Sequence, residues 1–576
     1  MRFLVLATDY DGTLAKNGHV EEPVWTAIRR LRESGRRAVL VTGRELEDLQ
    51  AICPHLDLFD RVVAENGALI YHPATKETRL LSDPPPPEFA RALKALGVVP
   101  LSVGHIIVAT VKPYETAVLK TINEMGLELQ VIFNQDAVMV LPSGVNKATG
   151  LIAALNEMGY SPHNAVGIGD AENDHALLAV CECGAAVGNG VPALRERADL
   201  VARGAEGASV IDLVRRILAD DLGAVANCIT RHDVLLGTTR DGKRECIAPY
   251  GKTVLVAGTS GSGKSTLAAG FLERLDEAKY QYAIIDPEGD YAKLAGAVVL
   301  GSPERAPLVD EVLNVLDQGR NAVVNLLGVS VGDRRGFFQE LFPALLEHRS
   351  RVGRPHWVVI DEAHHLVPTG WTPGGDGLAH RLHGLLLITV HPASVSRRVL
   401  ARVDVALGMG TDVGKTLTEF CEARGNGSRC AAPPDLRPGE AAAYWPARGS
   451  PPSPLVWVPP KAERRRHSRK YSEGRLPEHR SFVFRGPNGT LHLRAYNLMT
   501  FLELAQGVDD ATWLHHLRLH EYSNWFRVAI KDEQLAHDVA EIESQLANNA
   551  ARSRAAVRKA IEQRYTLPPE PAAGTS

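Results

Sequence analysis

"RFLVLATDYDGTL", residues Arg2 to Leu14, is an apolar run of strand length that stops at two aspartates one residue apart, with Gly12 behind them to permit a tight turn. In an open α/β sheet, ligands bind at the carboxyl ends of strands, so Asp9 and Asp11 share one pocket if the chain turns sharply between them. The plain alternative is a capped loop. Three later segments argue against it. "RAVLVTGR" is a second strand that ends in Thr42 and Gly43. "LPSGVNKATGLIAAL" places Lys147 at a helix start, and "AVGIGDAENDHALL" ends a strand in Asp170 with Asp174 four residues on.

In this order the four segments resemble the haloacid dehalogenase-type phosphatases over Met1 to about Arg216. The resemblance implies an α/β Rossmann-like sheet, with Asp9 as nucleophile and Asp11 as general acid/base. A carboxylate that attacks phosphorus splits one hard hydrolysis into two displacements, and a neighbouring acid protonates the leaving alkoxide. Thr42 and Lys147 would hold the transferring phosphoryl oxygens. Mg2+ takes oxygen ligands, for which the resemblance implies Asp9, the Asp11 carbonyl and Asp170, with Asp174 as ligand or support and Asn173 as a further candidate.

Between Arg44 and Lys147 lie segments these motifs do not need, among them "ENGALIYH", "DPPPPEF", "HIIVATV" and "AVMVLPSG". Their position resembles the α/β cap of the Cof-like branch, placed at about 82–145. A closing cap excludes water and measures the leaving group, which implies a small phosphorylated metabolite as substrate. His72 and His105 in this stretch read as packed or solvated residues.

A second site begins at "GTSGSGKS", the pattern G-x-x-x-x-G-K-[ST] formed by Gly258, Thr259, Ser260, Gly261, Ser262, Gly263, Lys264 and Ser265, with Thr266 next. A strand-like "KTVLVA" precedes it and a helix-like "TLAAGFLERL" follows. In such loops backbone N–H groups wrap the phosphates of ATP, the lysine reaches the outer phosphates, and the serine hydroxyl binds Mg2+. About a hundred residues on, "HWVVIDEAHHL" ends a strand in Asp361 and Glu362, one carboxylate for the metal and one to activate water.

The hairpin-like "DVLLGTTRDGKRECIAPY" and the turn in "YAIIDPEGDY" resemble the HerA and FtsK group of ring-forming ATPases over about Arg231 to Pro446. That resemblance implies a homo-oligomer, with a hexameric ring in view. It also implies His391 as a γ-phosphate sensor and an arginine finger among Arg397, Arg398 and Arg402. No N-terminal barrel of the HerA type precedes this domain, since the phosphatase stands there.

The composition then shifts. Residues 449–475 are proline-rich and then basic, with Arg464, Arg465, Arg466, Arg469 and Lys470, and read as a solvated linker without a core. Residues 476–567 read as a small, mainly helical module, with a hairpin around "GPNGT", helices starting near Asn497, Asp509 and Lys531, and Trp513, Trp525 and Phe526 as core anchors.

The whole chain of 576 residues, 45% hydrophobic, suits several globular cores: a phosphatase at 1–216, an ATPase at 231–448 and the terminal module. A net charge of -4 leaves nucleic acid only a local patch to bind. Seven scattered cysteines suggest neither a zinc knuckle nor a disulfide framework and fit a reducing cytoplasm. No apolar run approaches membrane-spanning length. The sequence therefore predicts a bifunctional hydrolase, a metabolite phosphatase joined to an ATPase, with Mg2+ and ATP as cofactors. Two rivals remain at this point: a polynucleotide kinase-phosphatase, and a nucleic-acid-associated defence or repair ATPase with a phosphatase effector. The size of the cap and the Asp361–Glu362 pair weigh against the kinase.

Overall fold

The computed structural model describes residues 1–372, 382–425, 435–461, 476, 480–487, 489, 491–530 and 532–564. Among them the first sheet has eight strands, in the order 200–201, 183–186, 165–169, 5–8, 37–41, 61–64, 69–72 and 77–80. The pairings from Leu200–Val201 through Arg61–Ala64 are parallel and the last two antiparallel. Helices cover both faces of the parallel part, so strands such as Val5–Thr8 and Ala165–Gly169 are buried at every residue and read as unbroken apolar runs.

A separate four-stranded antiparallel sheet, 102–103, 108–111, 137–142 and 129–134, packs with helices Pro87–Ala95 and Glu115–Glu124 to make the cap. The stretch "ENGALIYH" does not belong to it. Leu69–His72 pairs with Arg61–Ala64 and extends the core sheet, because Leu69, Ile70 and Tyr71 are buried against that sheet's own core.

The second sheet has eleven strands among the described residues. Its parallel part runs 405–409, 253–258, 385–389, 357–360, 282–286, 321–325 and 297–300, so Leu385–Thr389 separates the loop strand from the one that ends at Asp361. An antiparallel flank of 440–444, 453–457, 234–238 and 244–247 closes the other side. Ser453–Trp457 corrects the linker expectation. It pairs with Glu440–Tyr444 along its length and buries Leu455. Pro454 fits because only Val456 and Trp457 pair on the other side, which leaves the proline's missing donor on an open edge. The basic cluster from Arg464 to Lys470 lies outside the described residues.

By their contacts Met1–Thr259 and Phe271–Trp457 form one compact unit. Within it the two sheets meet at the amino ends of their strands. Glu182, just before Cys183–Ala186, pairs with the Arg2 guanidinium, accepts from Tyr280 Oη at 2.5 Å, and lies 2.8 Å from His163 Nδ1. His163 Nε2 is 2.7 Å from the Ala278 carbonyl, and its ring stacks on Tyr280 at 3.7 Å. Burial by itself would raise the Glu182 carboxyl, but His163 and Arg2 bring it down to about 2. Arg354 Nη2 donates to the Gly159 carbonyl at 2.6 Å. Arg231, in the connecting segment, donates to the Leu178 and Cys181 carbonyls at 3.0 and 2.7 Å.

Ser260–Gly270 and Val458–Ser576 form the second unit. Its helices Leu498–Gly507, Asp510–Arg518 and Glu533–Gln545 start at Asn497, Asp509 and Asp532, whose side chains accept backbone N–H groups of the first turn. Phe482–Phe484 pairs with Leu493–Ala495, and Phe501, Trp513, Tyr522 and Phe526 fill the core beneath.

Candidate functional sites

Asp9 follows directly on Val5–Thr8, and Asp170 on the neighbouring strand Ala165–Gly169, so sheet register brings them together. Gly12 has φ +70°, and a Cβ there would stand 2.3 Å from Asp170 Oδ2, so only glycine lets the turn close over the site. Lys147 opens the helix Lys147–Glu157, whose Asn146 cap accepts from Ala148 N and Thr149 N. That cap aims the buried ammonium at Asp9 Oδ1 and Asp174 Oδ1, each at 2.6 Å. Asp174 Oδ2 accepts the Asp170 and Ala171 N–H groups, and Thr13 Oγ1 donates to Asp170 Oδ1 at 2.9 Å.

Burial, opposed by Lys147 and reinforced by Asp174, holds the Asp9 carboxyl well above its usual range. Burial, then Asp174, pushes Asp170 up to about 6. One ammonium does not offset three carboxylates. Oxygens of Asp9, Asp170 and Asp174 lie within 4.8 Å of one another, an all-oxygen donor set of the kind Mg2+ takes. Thr42 is buried at the end of Arg37–Val41, where its Oγ1 accepts from Arg44 N at 3.2 Å.

Two features of this site, the Arg44 and Glu65 contacts, had no signal in the motifs, and a third shows where the candidate Asn173 points. Arg44 grips Asp11 with both ends of its guanidinium, Nε to Oδ2 at 2.6 Å and Nη2 to Oδ1 at 2.8 Å. Glu65, buried at φ +51°, accepts the N–H groups of His105, Ile106 and Ile107 at 2.9, 2.7 and 2.9 Å and so fastens the cap to the core. Asn173 Nδ2 donates to Asn66 Oδ1 at 3.2 Å. His105 is 2.8 Å from Glu47 and His72 2.9 Å from Glu157, both in carboxylate pairs.

In the second sheet the loop strand Thr253–Gly258 runs between Leu385–Thr389 and Val405–Met409. A Cβ on Gly258 would meet the Met409 carbonyl oxygen at 2.1 Å, so the chain enters the loop through a gap only glycine fits. Lys264 opens the helix Lys264–Glu277 and is buried, with Ser265 and Thr266 half-buried beside it.

Asp361 and Glu362 follow Trp357–Ile360. Burial, then Asp286, Glu362 and Asp290, holds the Asp361 carboxyl well above its ordinary value. Asp286 itself caps its turn, accepting from Gly289, Asp290 and Tyr291 N–H groups, and burial pushes it up to about 6. His391 is exposed, and its N–H donates at 3.0 Å to Thr389 Oγ1, a buried hydroxyl the sequence reading passed over. Arg397, Arg398 and Arg402 are exposed, with Arg397 Nη2 donating to the Gly425 carbonyl at 3.2 Å.

Comparison with known proteins agrees with this division. A family model described as haloacid dehalogenase-like hydrolase matches residues 6–96 and 105–213, and one described as AAA domain matches residues 250–390. "Phosphoglycolate phosphatase" of Haloarcula marismortui is 30% identical over 224 residues, 36% of this chain and 95% of the relative. That of Natronomonas pharaonis is 32% identical over 208 residues, 34% of this chain and 89% of the relative. "Phosphoglycolate phosphatase 2" of Saccharolobus solfataricus is 28% identical over 226 residues, 38% of this chain and 94% of the relative. With strand-end carboxylates around a buried lysine in one sheet and a phosphate-binding loop in the other, the chain belongs to the haloacid dehalogenase-like hydrolases and carries an AAA-type P-loop domain as a second, ATPase site.

Proposed function

We propose that this chain is a Mg2+-dependent phosphatase of a small phosphorylated acid of the phosphoglycolate class, whose turnover is set by the ATP state of the attached domain. The observation that carries the phosphatase half is the gathering of Asp9, Asp170 and Asp174 around Lys147 beneath a cap fastened by Glu65. Asp9 attacks phosphorus, the P–O ester bond breaks, and Asp11 gives its proton to the leaving oxygen. Water then attacks the aspartyl-phosphate, loses a proton to Asp11, and frees phosphate and Asp9. Asp9, the Asp11 carbonyl, Asp170 and Asp174 would hold Mg2+, which when bound neutralises charge on the phosphoryl oxygens. Thr42 and Lys147 orient those oxygens. The relatives' names and the tied cap favour a small substrate over a polymer end.

In the second domain Lys264 and Ser265, with the rest of the loop from Gly258 to Thr266, would bind ATP and its Mg2+, with Asp361 as support for the metal and Glu362 as the group that would activate water. The antiparallel strands Val234–Thr238 and Arg244–Ile247 and the Asp286 turn favour the HerA/FtsK type. A ring completed by Arg397, Arg398 or Arg402 of a neighbouring subunit is consistent with the exposure of all three. Coupling is supported by the buried contact of Ala278 and Tyr280, at the end of the loop helix, with His163 and Glu182 of the phosphatase. A nucleotide shifts such an equilibrium only by binding one state more tightly.

The test is phosphate release from phosphoglycolate and a panel of small phosphomonoesters, with and without ATP, by the wild type and by Tyr280→Phe. The expected result is Mg2+-dependent release from a small substrate, a rate that changes with ATP, and a weaker ATP effect in Tyr280→Phe at unchanged basal rate. Identical phosphatase kinetics in saturating ATP and in its absence sinks the coupling. Absence of release from every member of the panel sinks the substrate class.

A further inference from the structure

Trp357–Ile360 pairs in parallel with Leu385–Thr389, Ile360 against Leu387, and Glu362 and Thr389 each follow two residues after that pair along their own segments. Glu362 sits there at φ +46° and ψ 47°, a left-handed conformation that disfavours a residue with a Cβ by about 1 kcal/mol or more. Such a backbone persists where its surroundings hold it. His364 is the side chain that bridges the two strand ends. Its Nδ1 lies 3.3 Å from Glu362 Oε2 and 3.1 Å from Thr389 Oγ1. The same hydroxyl accepts the His391 N–H at 3.0 Å, and the His364 and His391 rings meet edge to face at 5.2 Å. The His364 side chain is 10% exposed and Thr389 is fully buried, so the bridge is a packed one.

We infer that His364 is a positioning residue of the ATPase reaction. It fixes the Glu362 carboxylate at its strand end and, through the Thr389 hydroxyl, makes the water-activating group and the turn that starts at His391 move as one piece. Nδ1 faces both the carboxylate and the hydroxyl from within the protein, so the bridge acts on turnover and not on nucleotide binding. Loosening a catalytic group by an ångström costs on the order of a hundredfold in rate, against 10² or more for deleting a general base. This inference rests on the reading of Glu362 as the group that activates water.

The experiment uses the full chain and compares ATP hydrolysis by His364→Ala, His364→Asn, His364→Gln and Glu362→Gln, with affinity for a fluorescent ATP analogue measured for each. Phosphatase activity of the same preparations reports folding. Asparagine can place a donor where Nδ1 stands, whereas glutamine reaches to the Nε2 position. Expected are a fall in kcat of about ten- to a hundredfold for His364→Ala with KM and analogue affinity within about twofold, and recovery of most of that loss by His364→Asn but not by His364→Gln. Wild-type kcat in His364→Ala overturns the inference while Glu362→Gln remains slow. So does a loss carried by KM and affinity, or a His364→Asn rate no better than alanine's. A Glu362→Gln enzyme at wild-type rate instead removes the reading beneath it.

Discussion

Replacing Asp170 by asparagine should stabilise the protein when metal is withheld. Asp170 shares its pocket with Asp9 and Asp174, and the Lys147 ammonium faces two of the three carboxylates directly. Its carboxyl is raised from 3.8 to about 6 by burial and by Asp174. A raised carboxyl stabilises the fold fully below its unfolded pKa, and that contribution is lost as pH rises through the folded one, here between about 4 and 6. At 1.36 kcal/mol per pKa unit the shift is worth about 3 kcal/mol if fully buried, and about 1–2 kcal/mol once the half-exposed edge of Asp170 is screened. For a domain of this size that is a melting shift of about 2–8 °C.

Thermal unfolding of the wild type and Asp170→Asn in chelator should therefore differ by no more than about a third of that amount near pH 4.5 and by all of it near pH 7.5, with the variant higher. Millimolar Mg2+ should raise the wild type and leave the variant nearly unmoved, since a ligand stabilises only the state that binds it. Curves that stay together at both pH values, or a variant that gains as much from Mg2+ as the wild type, refute the reasoning.

Asp9→Asn should abolish phosphate release and leave ATP hydrolysis largely intact, as read in paired assays on one preparation. Glu362→Gln should bind ATP yet hydrolyse it slower by about 10² or more; transfer of labelled phosphate from wild type to a 5′-hydroxyl oligonucleotide would favour the kinase rival. Light scattering of Glu362→Gln should show a rise in mass with ATP, and an unchanged monomer would discard the ring. Glu65→Gln withdraws the charge from three amide bonds that tie the cap, and should raise KM for the phosphoester several-fold with ATPase turnover untouched.

What the sequence disclosed followed from one-dimensional rules. Strands that end in aspartate leave it at the sheet's carboxyl edge, and the structure gathers Asp9, Asp170, Asp174 and Lys147 there although Lys147 lies 138 residues from Asp9. Caps were readable for the same reason, since Asn497 and Asp509 act within their own turns. Contacts set by packing were not. The Arg44 clamp on Asp11, the Glu65 cradle and the Glu182–Tyr280 bond join segments whose meeting depends on how whole sheets and caps settle. Ser453–Trp457 was hidden by its prolines, which suggest a linker until the open edge beside Pro454 is seen.

The contact through Glu182, His163 and Tyr280 joins the amino ends of two parallel sheets, whereas Asp9 and Asp361 stand at the carboxyl ends. The two reaction centres thus open away from their common seam. A mechanical link between the two halves would run through that seam, as between two tools mounted on a single shaft.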